Sequence, residues 1–417
     1  MEEEFANYES SYFIMNVPTD ADLEINSMNE KDFAIFFHEY IHFIQDITSF
    51  FGYFGIYSHG EYIRRVVNDI YITDNPILLP IELEDKGDFV LLNKKLAELS
   101  LGDKGNRNHV YIKDTFIESF SLSDTFELPE LHVKAIVDRE EEEIIVGAYA
   151  IRENMAYLLE KKCTTGYMRS AEFPYQIVEL LADKICPNML SDLDLIALCD
   201  ISLQNSTPGL YLYSMLDDIS KGKVIINKPE DIYDSFFSKK VNFLNQTMMT
   251  SDAILLAAKQ AVDHLLSYVR IDLLSKEYQE WVAFTIMSGV TLRLHWPYFF
   301  LEMAKGKRNK GNEMLMFLAK IIGSPQMVNK KGIRFQLTTD RPICRFEYLE
   351  AVREIEKLFE YGTKKCGLKQ WCKMSPNDAP VDERCDNNPW ERCHDNQLCP
   401  YGLLWKHWKL GDKEIVC

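Results

Sequence analysis

Two histidines and a glutamate carry the clearest chemical signal in this 417-residue chain, which contains nine histidines in all. His38, Glu39 and His42 form the pattern H-E-x-x-H, with Tyr40 and Ile41 between them. If the segment is helical, His38 and His42 lie one turn apart on the same face and can direct ring nitrogens at one metal ion. Glu39 then lies beside the pair, where its carboxylate can take a proton from a metal-bound water.

The sequence around this motif predicts a long, buried helix. Asn29 is placed to cap its N-terminus, with Asp32 three residues later, and the apolar run continues to about Phe50. Gln45 and Asp46 lie in the same run, so several polar side chains are expected inside an apolar core. Such groups are costly to bury unless they satisfy one another or bind a metal. A hydrogen-bonded pair of core histidines is therefore the structural alternative to a metal site.

The segment HEYIHFIQD resembles the active-site helix of the zincin metallopeptidases, particularly the gluzincins, whose third ligand is a glutamate on a later helix. The metzincins are excluded, because the residues after His42 lack the glycine and the third histidine that they require. The resemblance covers the motif and its setting, roughly a third of the chain. It implies a catalytic zinc ion bound by His38 and His42, with Glu39 as general base, in a zincin-like fold.

Two glutamates are the main candidates for the third zinc ligand. Glu153 follows a predicted strand in GAYAIRENMAYLLE, where Ala150 and Ala156 would let its helix pack closely against the motif helix. The strand beside the motif helix could also bind an extended peptide. Glu61 follows the motif after 18 intervening residues, a spacing like that of aminopeptidase-type gluzincins, although their Asn-Glu context is absent. Glu153 is favoured, and the further candidates are Glu160 and Glu179.

Two supporting roles at the site are less well defined by the sequence. Enzymes of this type usually have a side chain that stabilises an oxyanion, and the unranked candidates are Tyr149, Tyr157, Tyr167, Tyr175 and His295. Metal-bound histidines usually donate their second ring N–H to a carboxylate or a carbonyl. Asp46 lies one turn beyond His42 and is the expected acceptor, with ordinary helix-end polarity as the alternative.

The chain has ten cysteines, and six of them fall in the last 52 residues. That stretch is rich in loop-forming residues and too short to fold around its own core, so cross-linking by a metal is expected. It has no C-x-x-C pair, which excludes a standard zinc ribbon. A structural zinc ion is favoured, with an iron–sulfur cluster, disulfides or unpaired thiols as alternatives. The expected ligands are Cys372, Cys385, Cys393 and Cys399.

The remaining pattern predicts an α+β fold that is mostly helical. We expect a strand at 10–17, a break at Gly52 and Gly55, a second helix capped by Ser58, and a hairpin of strands at 131–138 and 142–151 joined by a charged turn. Helices are predicted at 152–162, 174–186, 190–204, 251–274, 276–294, 311–323 and 346–362. Three regions result: a zincin-like region with a small sheet beside the motif helix (1–200), helices bounding the cleft (201–345), and the cysteine-rich tail (346–417).

Composition and charge limit the class of protein. Apolar residues make up 47% and charged residues 26%, an ordinary globular balance. The formal net charge of −18 argues against nucleic-acid binding, although nine basic side chains in residues 305–341 could dock an acidic partner. The N-terminal MEEEFANYESS has no apolar signal segment, and the apolar stretch 281–300 carries charge and a proline. We therefore expect a cytoplasmic protein that does not span a membrane.

These features predict a zinc metallopeptidase that hydrolyses peptide bonds in intracellular proteins or peptides. Two alternatives remain at this stage. One is a metal-dependent hydrolase of a non-peptide amide, and the other is an inactive zincin scaffold that binds a regulatory protein partner. The sequence does not identify the substrate. It also leaves the third metal ligand to be located in the structure.

Overall fold

A computed structural model describes residues 6–73, 76–81, 83, 88–123, 126–166, 171–268, 276–337, 346–374 and 381–416. As predicted, the fold is α+β and mostly helical. The helices of the first half are α1 (Glu30–Thr48), α2 (Phe50–Ile72), α3 (Phe89–Leu99), α4 (Ala148–Cys163), α5 (Glu172–Tyr175), α6 (Ile177–Ile185), α7 (Asp192–Ser202) and α8 (Pro208–Ser220). Those of the second half are α9 (Glu230–Phe237), α10 (Thr250–Tyr268), α11 (Lys276–His295), α12 (Phe299–Lys305), α13 (Glu313–Ile321), α14 (Glu347–Tyr361), α15 (Lys369–Met374), α16 (Arg384–Asn387), a 3₁₀ helix (Pro389–His394) and α17 (Pro400–His407).

The strands form small sheets that join distant parts of the chain. They are β1 (Asn7–Glu9), β2 (Ile14–Val17), β3 (Ile77–Leu78), β4 (Val110–Ser123), β5 (Phe126–Val137), β6 (Glu140–Ile145), β7 (Lys240–Phe243), β8 (Gln246–Met249), β9 (Gln326–Asn329), β10 (Arg334–Phe335) and β11 (Ile415–Val416). β4, β5 and β6 form an antiparallel sheet, and β7 pairs with β8. β2 pairs in parallel with β9, and β3 pairs in parallel with β11. These pairings link segments that were assigned to different regions, whose boundaries stay a prediction.

Helix α1 lies in the interior. Asn29 caps it as predicted, because its side-chain oxygen accepts a hydrogen bond from the backbone N–H of Asp32 at 2.9 Å. All residues from Phe36 to Thr48 are buried, and the helix contacts α2, α4, α11, β1 and β2. Of the predicted strand at 10–17, the second half is present as β2, while residues 10–13 form the turn from β1; the hairpin of β1 and β2 packs on this helix. Polar residues of α1 must therefore find partners on neighbouring elements.

The predicted break between the first two helices is in the wrong place. Helix α2 begins at Phe50 and runs through Gly52 and Gly55, while Ser58 is buried inside it. Its cap is Ser49, whose hydroxyl accepts a hydrogen bond from the Gly52 N–H at 3.0 Å. A Cβ on Gly52 would lie 2.2 Å from the carbonyl oxygen of Asp46. The glycine therefore permits the sharp turn between helices rather than ending one.

The predicted hairpin is present, but its limits differ. Its strands are β5 and β6, joined by the two residues Asp138 and Arg139, whose φ angles are 48° and 80°. The glutamates expected in the turn belong to β6, where they lie on an edge strand that can stay solvated. The second strand ends at Ile145 rather than at 151, and α4 already begins at Ala148. Glu153 consequently lies within α4, in its second turn.

The other predicted helices are confirmed within a few residues. They correspond to α4, to α5 with α6, and to α7, α10, α11, α13 and α14, although residues 269–274 of the predicted helix at 251–274 lie outside the described residues. Helices α3, α8, α9 and α12 were not predicted, nor were the short helices of the tail, α15 to α17 and the 3₁₀ helix. No helix among the described residues is both long and apolar enough to cross a membrane.

A buried ion pair fixes the C-terminal end of α1. Both terminal nitrogens of Arg293 lie 2.7 Å from the two carboxylate oxygens of Asp200, and both side chains are inaccessible to solvent. The Nε of Arg293 donates to the carbonyl oxygen of Thr48 at 3.0 Å, while the Tyr233 hydroxyl donates to Asp200 at 2.9 Å. A cation at this end complements the helix dipole and satisfies a carbonyl that the helix leaves unpaired.

We predict opposite effects of alanine at the two glycines of α2. Gly52→Ala should lower the free energy of unfolding by about 1–3 kcal/mol, because its new methyl group meets the Asp46 backbone. Gly55→Ala is the matched control, since a Cβ there has no other atom within 4 Å, and should raise stability by about 0.5–1 kcal/mol. Urea denaturation followed by circular dichroism measures both. Equal shifts in the two variants would contradict the packing described here.

Candidate metal centre

Helices α1 and α4 bring three potential metal ligands together. The Nε2 of His38 lies 3.0 Å from Oε2 of Glu153, and the Nε2 of His42 lies 3.4 Å from the same oxygen. All three ligand atoms lie within 4.8 Å of one another. The two histidines are at least nine-tenths buried, and the side chain of Glu153 is 15% exposed. The group predicted from H-E-x-x-H and Glu153 is thus assembled in a narrow, mostly enclosed position.

Small residues occupy buried positions at the start and along the length of α4. Ala150 and Ala156 are fully buried on α4. Gly147, at the N-cap, has no room for a side chain, because a Cβ would lie 2.4 Å from the carbonyl carbon of Leu101. This crowding fixes where α4 begins, and therefore which part of the motif helix lies beside Glu153.

Outer hydrogen bonds orient both imidazole rings. The Nδ1 of His38 lies 3.0 Å from Oε2 of Glu160, which is also on α4. The Nδ1 of His42 lies 2.9 Å from Oε1 of Gln45, whose amide in turn donates to the carbonyl oxygen of Arg152 at 3.2 Å. With the proton held on each Nδ1 by these acceptors, each Nε2 is the nitrogen available to a metal.

The predicted hydrogen bond from His42 to Asp46 is absent among the described residues. Asp46 instead forms an ion pair with Arg152, at 3.0 Å between Oδ1 and Nη2. Gln45 takes the place beside His42. The prediction failed because it considered only the helix carrying the motif, whereas the arginine that attracts Asp46 comes from α4.

The donor set fits a zinc ion. The Nε2 of His42 is buried and has only the 3.4 Å approach of Glu153, without a well-formed hydrogen bond among the described residues, so a further group could complete the site. Two imidazole nitrogens and one carboxylate oxygen are the ligands of a catalytic zinc with one open position. The residues present therefore fit the metal that the motif predicts.

Burial and mutual attraction shift the proton affinities of this group. Burial disfavours the charged imidazolium of His38, but its hydrogen bonds to Glu153 and Glu160 outweigh this and raise the pKa of His38 well above its ordinary value. Burial likewise opposes ionisation of Glu153, yet the two histidines lower its pKa far below the usual range. For Glu39, burial raises the pKa; the nearby His42 and His38 oppose this, Glu153 and Glu160 add to it, and the pKa stays raised.

Glu39 differs from every other polar residue of the motif in having no partner. It is 7% exposed, and its carboxylate makes no hydrogen bond or ion pair with the described residues. A carboxylate with raised proton affinity beside a metal position can act as a general base.

The other candidate glutamates have different partners. Glu61 lies 2.8 Å from Nδ1 of His264 and 2.8 Å from Nη2 of Arg64, and it is not part of the metal group. Glu179 hydrogen-bonds to Asn154, and burial raises its pKa to about 7. Glu160 is an outer partner of His38 rather than part of the ligand group. The structure thus brings Glu153, and not Glu61, to the histidines.

Two of the candidate tyrosines lie at the metal group. The ring centroid of Tyr175 is 5.9 Å from that of His38, and Tyr149 lies one turn before Glu153 on α4. Burial, together with the charges of Glu153 and Glu39, raises the pKa of both phenols, for Tyr149 to about 12. Tyr157, which is 6% exposed, packs on Tyr175 with ring centroids 6.1 Å apart. Of the other two candidates, His295 is exposed at the end of α11 and Tyr167 lies outside the described residues.

No protein-family model, curated protein or solved structure matches this chain. The side-chain geometry of the site is the basis for assigning its function.

A second group of potential ligands was not predicted from the sequence. Glu118, His132 and Glu143 lie together on the sheet of β4, β5 and β6. Both glutamates are exposed, the Nδ1 of His132 pairs with Glu143 at 2.8 Å, and its ring stacks on Phe116. Alternation along β5 could have placed His132 on a face, but not beside these carboxylates. Ordinary surface ion pairing accounts for the group.

The cysteines of the tail are grouped differently from the prediction. Cys366, Cys372, Cys385 and Cys399 line one cavity. Cys393, which was expected to be a ligand, is not among the lining residues and lies next to Gly411. Sequence spacing could not separate Cys366 from Cys393, because the order of cysteines in a loop-rich stretch does not define which of them meet.

Most basic side chains of 305–341 have partners inside the protein. Lys305 pairs with Glu230 and Arg334 pairs with Glu350. Others bind backbone carbonyls, as do Arg308 and Lys310. The segment therefore contributes to the folded structure, and its predicted role in docking an acidic partner stays a prediction.

We predict that zinc binding depends on Glu153 and not on Glu61. Glu153→Ala should weaken zinc affinity by more than about 100-fold, since loss of an outer partner alone costs about 10–100-fold. Glu61→Ala, a matched removal of another buried glutamate, should leave zinc content unchanged. Metal analysis after dialysis against a graded chelator measures both variants. Retained zinc in Glu153→Ala, with loss in Glu61→Ala, would refute the assignment.

Proposed function

We propose that this protein is a zinc-dependent metallopeptidase, which hydrolyses peptide bonds in protein or peptide substrates on a zincin-like catalytic region. The observation that carries the proposal is the convergence of His38 Nε2, His42 Nε2 and Glu153 Oε2 within 4.8 Å of one another. Glu39, directly next to His38 in the chain, supplies a carboxylate with no other partner among the described residues. This combination of two imidazoles, one ligand carboxylate and one free carboxylate matches the requirements of metal-assisted hydrolysis.

Each residue of the group has a distinct role. When bound, the zinc ion supplies Lewis acidity, which polarises the scissile carbonyl and makes a water molecule easier to deprotonate. Glu39 accepts the proton of the attacking water and returns it to the leaving amine. Its raised pKa makes the carboxylate a stronger acceptor for the proton of the first step. Glu160 and Gln45 keep the imidazole rings oriented through their Nδ1 atoms.

Tyr149 and Tyr175 are the proposed oxyanion donors. Both are partly exposed, so they can reach a substrate at the mouth of the site. Their raised pKa values keep the phenols protonated near neutral pH, and only a protonated phenol can donate a hydrogen bond to developing negative charge. The other surviving candidate, Tyr157, is buried against Tyr175.

One observation favours hydrolysis of a small non-peptide amide as a second candidate function. Residues 100–103 occupy the end of β6 nearest α4: the Asp103 N–H donates to the Ile145 carbonyl at 2.9 Å, and the Ala148 N–H donates to the Ser100 carbonyl at 2.8 Å. A strand whose edge is already paired cannot add an extended peptide there. A peptide substrate cannot pair with this end of β6 and must use another part of the strand or another element, whereas a small acylated amine needs no strand at all.

We predict that Glu39→Gln abolishes hydrolysis but keeps the metal. The amide has the same shape and can no longer accept the proton, so kcat should fall by about 10²–10⁴-fold with zinc content unchanged. Glu30→Gln, in the exposed first turn of the same helix, is the matched control and should keep wild-type activity.

The assay should use a degenerate peptide library and a panel of small acylated amines in parallel. Cleavage of peptides alone supports the peptidase, and turnover of the small amides alone supports the second candidate. If wild type and Glu39→Gln both bind zinc and neither turns over any substrate in either panel, the protein is a binding scaffold and the proposed activity is wrong.

We also predict a role for the two tyrosines in kcat. Tyr149→Phe and Tyr175→Phe should each lower kcat, the larger loss being about 10²–10³-fold, with little change in zinc content. Tyr211→Phe is a suitable control, because Tyr211 is also partly buried and burial alone raises its pKa to about 12. Steady-state kinetics on the best substrate decide the point. Wild-type kcat in both site variants would remove the tyrosines from the mechanism.

A further inference from the structure

Arg152 connects the two helices that carry the potential metal ligands. It directly precedes Glu153 on α4, and its guanidinium crosses to α1. There its Nη2 lies 3.0 Å from Oδ1 of Asp46 and donates to the carbonyl oxygen of His42 at 3.4 Å. Its Nε donates to Oε1 of Gln45, also at 3.4 Å. One residue is therefore joined in the chain to one ligand and contacts the segment that carries another.

The two histidines have outer partners of different kinds. The Nδ1 of His38 faces the carboxylate of Glu160, which can only accept a hydrogen bond when it is ionised. The Nδ1 of His42 faces the side-chain amide of Gln45, which has an acceptor at one end and a donor at the other. If this amide were reversed, its NH₂ group would donate to Nδ1. The proton of a neutral His42 would then lie on Nε2, where it would block a metal.

Both contacts that orient the amide of Gln45 come from residue 152. The guanidinium of Arg152 can only donate hydrogen bonds, and its backbone carbonyl can only accept them. The guanidinium faces Oε1 of Gln45, whereas the carbonyl accepts from Nε2 of Gln45 at 3.2 Å. A reversed amide would set donor against donor and acceptor against acceptor. The amide oxygen is therefore turned towards His42, which keeps the proton on Nδ1 and the lone pair on Nε2.

Other contacts hold the guanidinium in place. The side chain of Asp46 is only 3% exposed, so losing its cationic partner would be costly. The Nη1 of Arg152 donates to the hydroxyl of Ser10, in the turn between β1 and β2, at 3.3 Å. A guanidinium makes such bonds from one planar group at fixed angles, which an ammonium cannot reproduce. These contacts fix the direction of the Nε–H that faces Gln45.

We propose that Arg152 is a positioning residue of the metal centre. It holds the amide oxygen of Gln45 against His42, and so keeps the lone pair of His42 Nε2 directed at the metal position. His38 needs no such residue, because an ionised Glu160 has no donor to turn towards it. The inference rests on the proposed function for the presence of zinc, but the position of the His42 proton can be measured without any metal.

Removal of the whole ion pair tests the proposal. Asp46→Asn combined with Arg152→Met removes the guanidinium without leaving a buried carboxylate unpaired. Zinc affinity, measured by competition with a chelator, should fall by about 10–100-fold, as for other outer partners of metal ligands. Arg353→Met is the matched control and should bind zinc like wild type. Its side chain is 14% exposed against 15% for Arg152, and it also binds the β1–β2 hairpin, at Glu9.

The proton of His42 provides a second measurement, which a purely structural role would not change. Long-range ¹H–¹⁵N correlation on the metal-free, histidine-labelled chain distinguishes Nδ1–H from Nε2–H at about pH 9, where an imidazole is ordinarily neutral. The His42→Gln variant identifies the signal. Wild type and Arg353→Met should show Nδ1–H. The double variant should show both forms, because the carbonyl of residue 152 alone still favours one orientation of the amide.

Three results would each refute the role of Arg152. They are Nε2–H at His42 in wild type, an unchanged proton pattern in the double variant, and equal zinc affinities in the double variant and Arg353→Met. If the proton pattern changes as expected but wild type binds no zinc, the role of Arg152 in orienting His42 is supported and the proposed function fails. If the double variant does not fold, Arg152→Lys keeps a cation for Asp46 without the Nε–H, and the same two measurements on it decide.

Discussion

Helix α1 places charged and polar side chains in the middle of an apolar core, and each of them must be compensated there. Leaving one member of a buried ionic pair alone costs several kcal/mol. Helix α4 supplies most of the compensation: Glu153 and Glu160 meet His38, and Arg152 meets Asp46. The way α1 and α4 face each other is therefore set as much by these polar contacts as by apolar packing. The contacts that hold α1 against α4 therefore also bring the potential metal ligands together.

The same constraint operates at the end of α1. The carbonyl of Thr48 is buried, and Arg293 reaches it from α11. That arginine is itself buried, so Asp200 on α7 must neutralise it, and Tyr233 on α9 satisfies the aspartate further. One helix terminus thus determines the partners of three other helices. Because these contacts also hold α1 along its axis, they keep the two histidines at a constant height relative to Glu153, which a ligand geometry accurate to tenths of an ångström demands.

Short-range sequence patterns predicted the features that depend only on residues close together in the chain. The Asn29 cap, the buried run of α1 and the spacing of the histidines all follow from short-range patterns, and Glu153 was found because small residues flank it. Choices between distant partners were not predictable. Asp46 pairs with Arg152 rather than with His42, and Ser49 rather than Ser58 caps α2, where Gly52 lies against the Asp46 carbonyl. The tail follows the same rule, since its composition indicated a metal centre while chain order could not identify which cysteines meet.

Glu39 differs from the other buried polar side chains of α1, because no hydrogen bond or ion pair with a described residue balances its burial. His38, His42, Gln45, Asp46 and Thr48 all have partners on α1 or on neighbouring elements, yet the carboxylate of Glu39 has none among the described residues. A helix selected only for stability would pair this group or replace it with an apolar residue, since burial raises its pKa and penalises its charge. A carboxylate kept without a hydrogen-bond or ion-pair partner beside an assembled set of potential metal ligands is what a catalytic function would explain. The pair of core histidines considered as the alternative accounts for His38 and His42, but it gives no reason for Glu39.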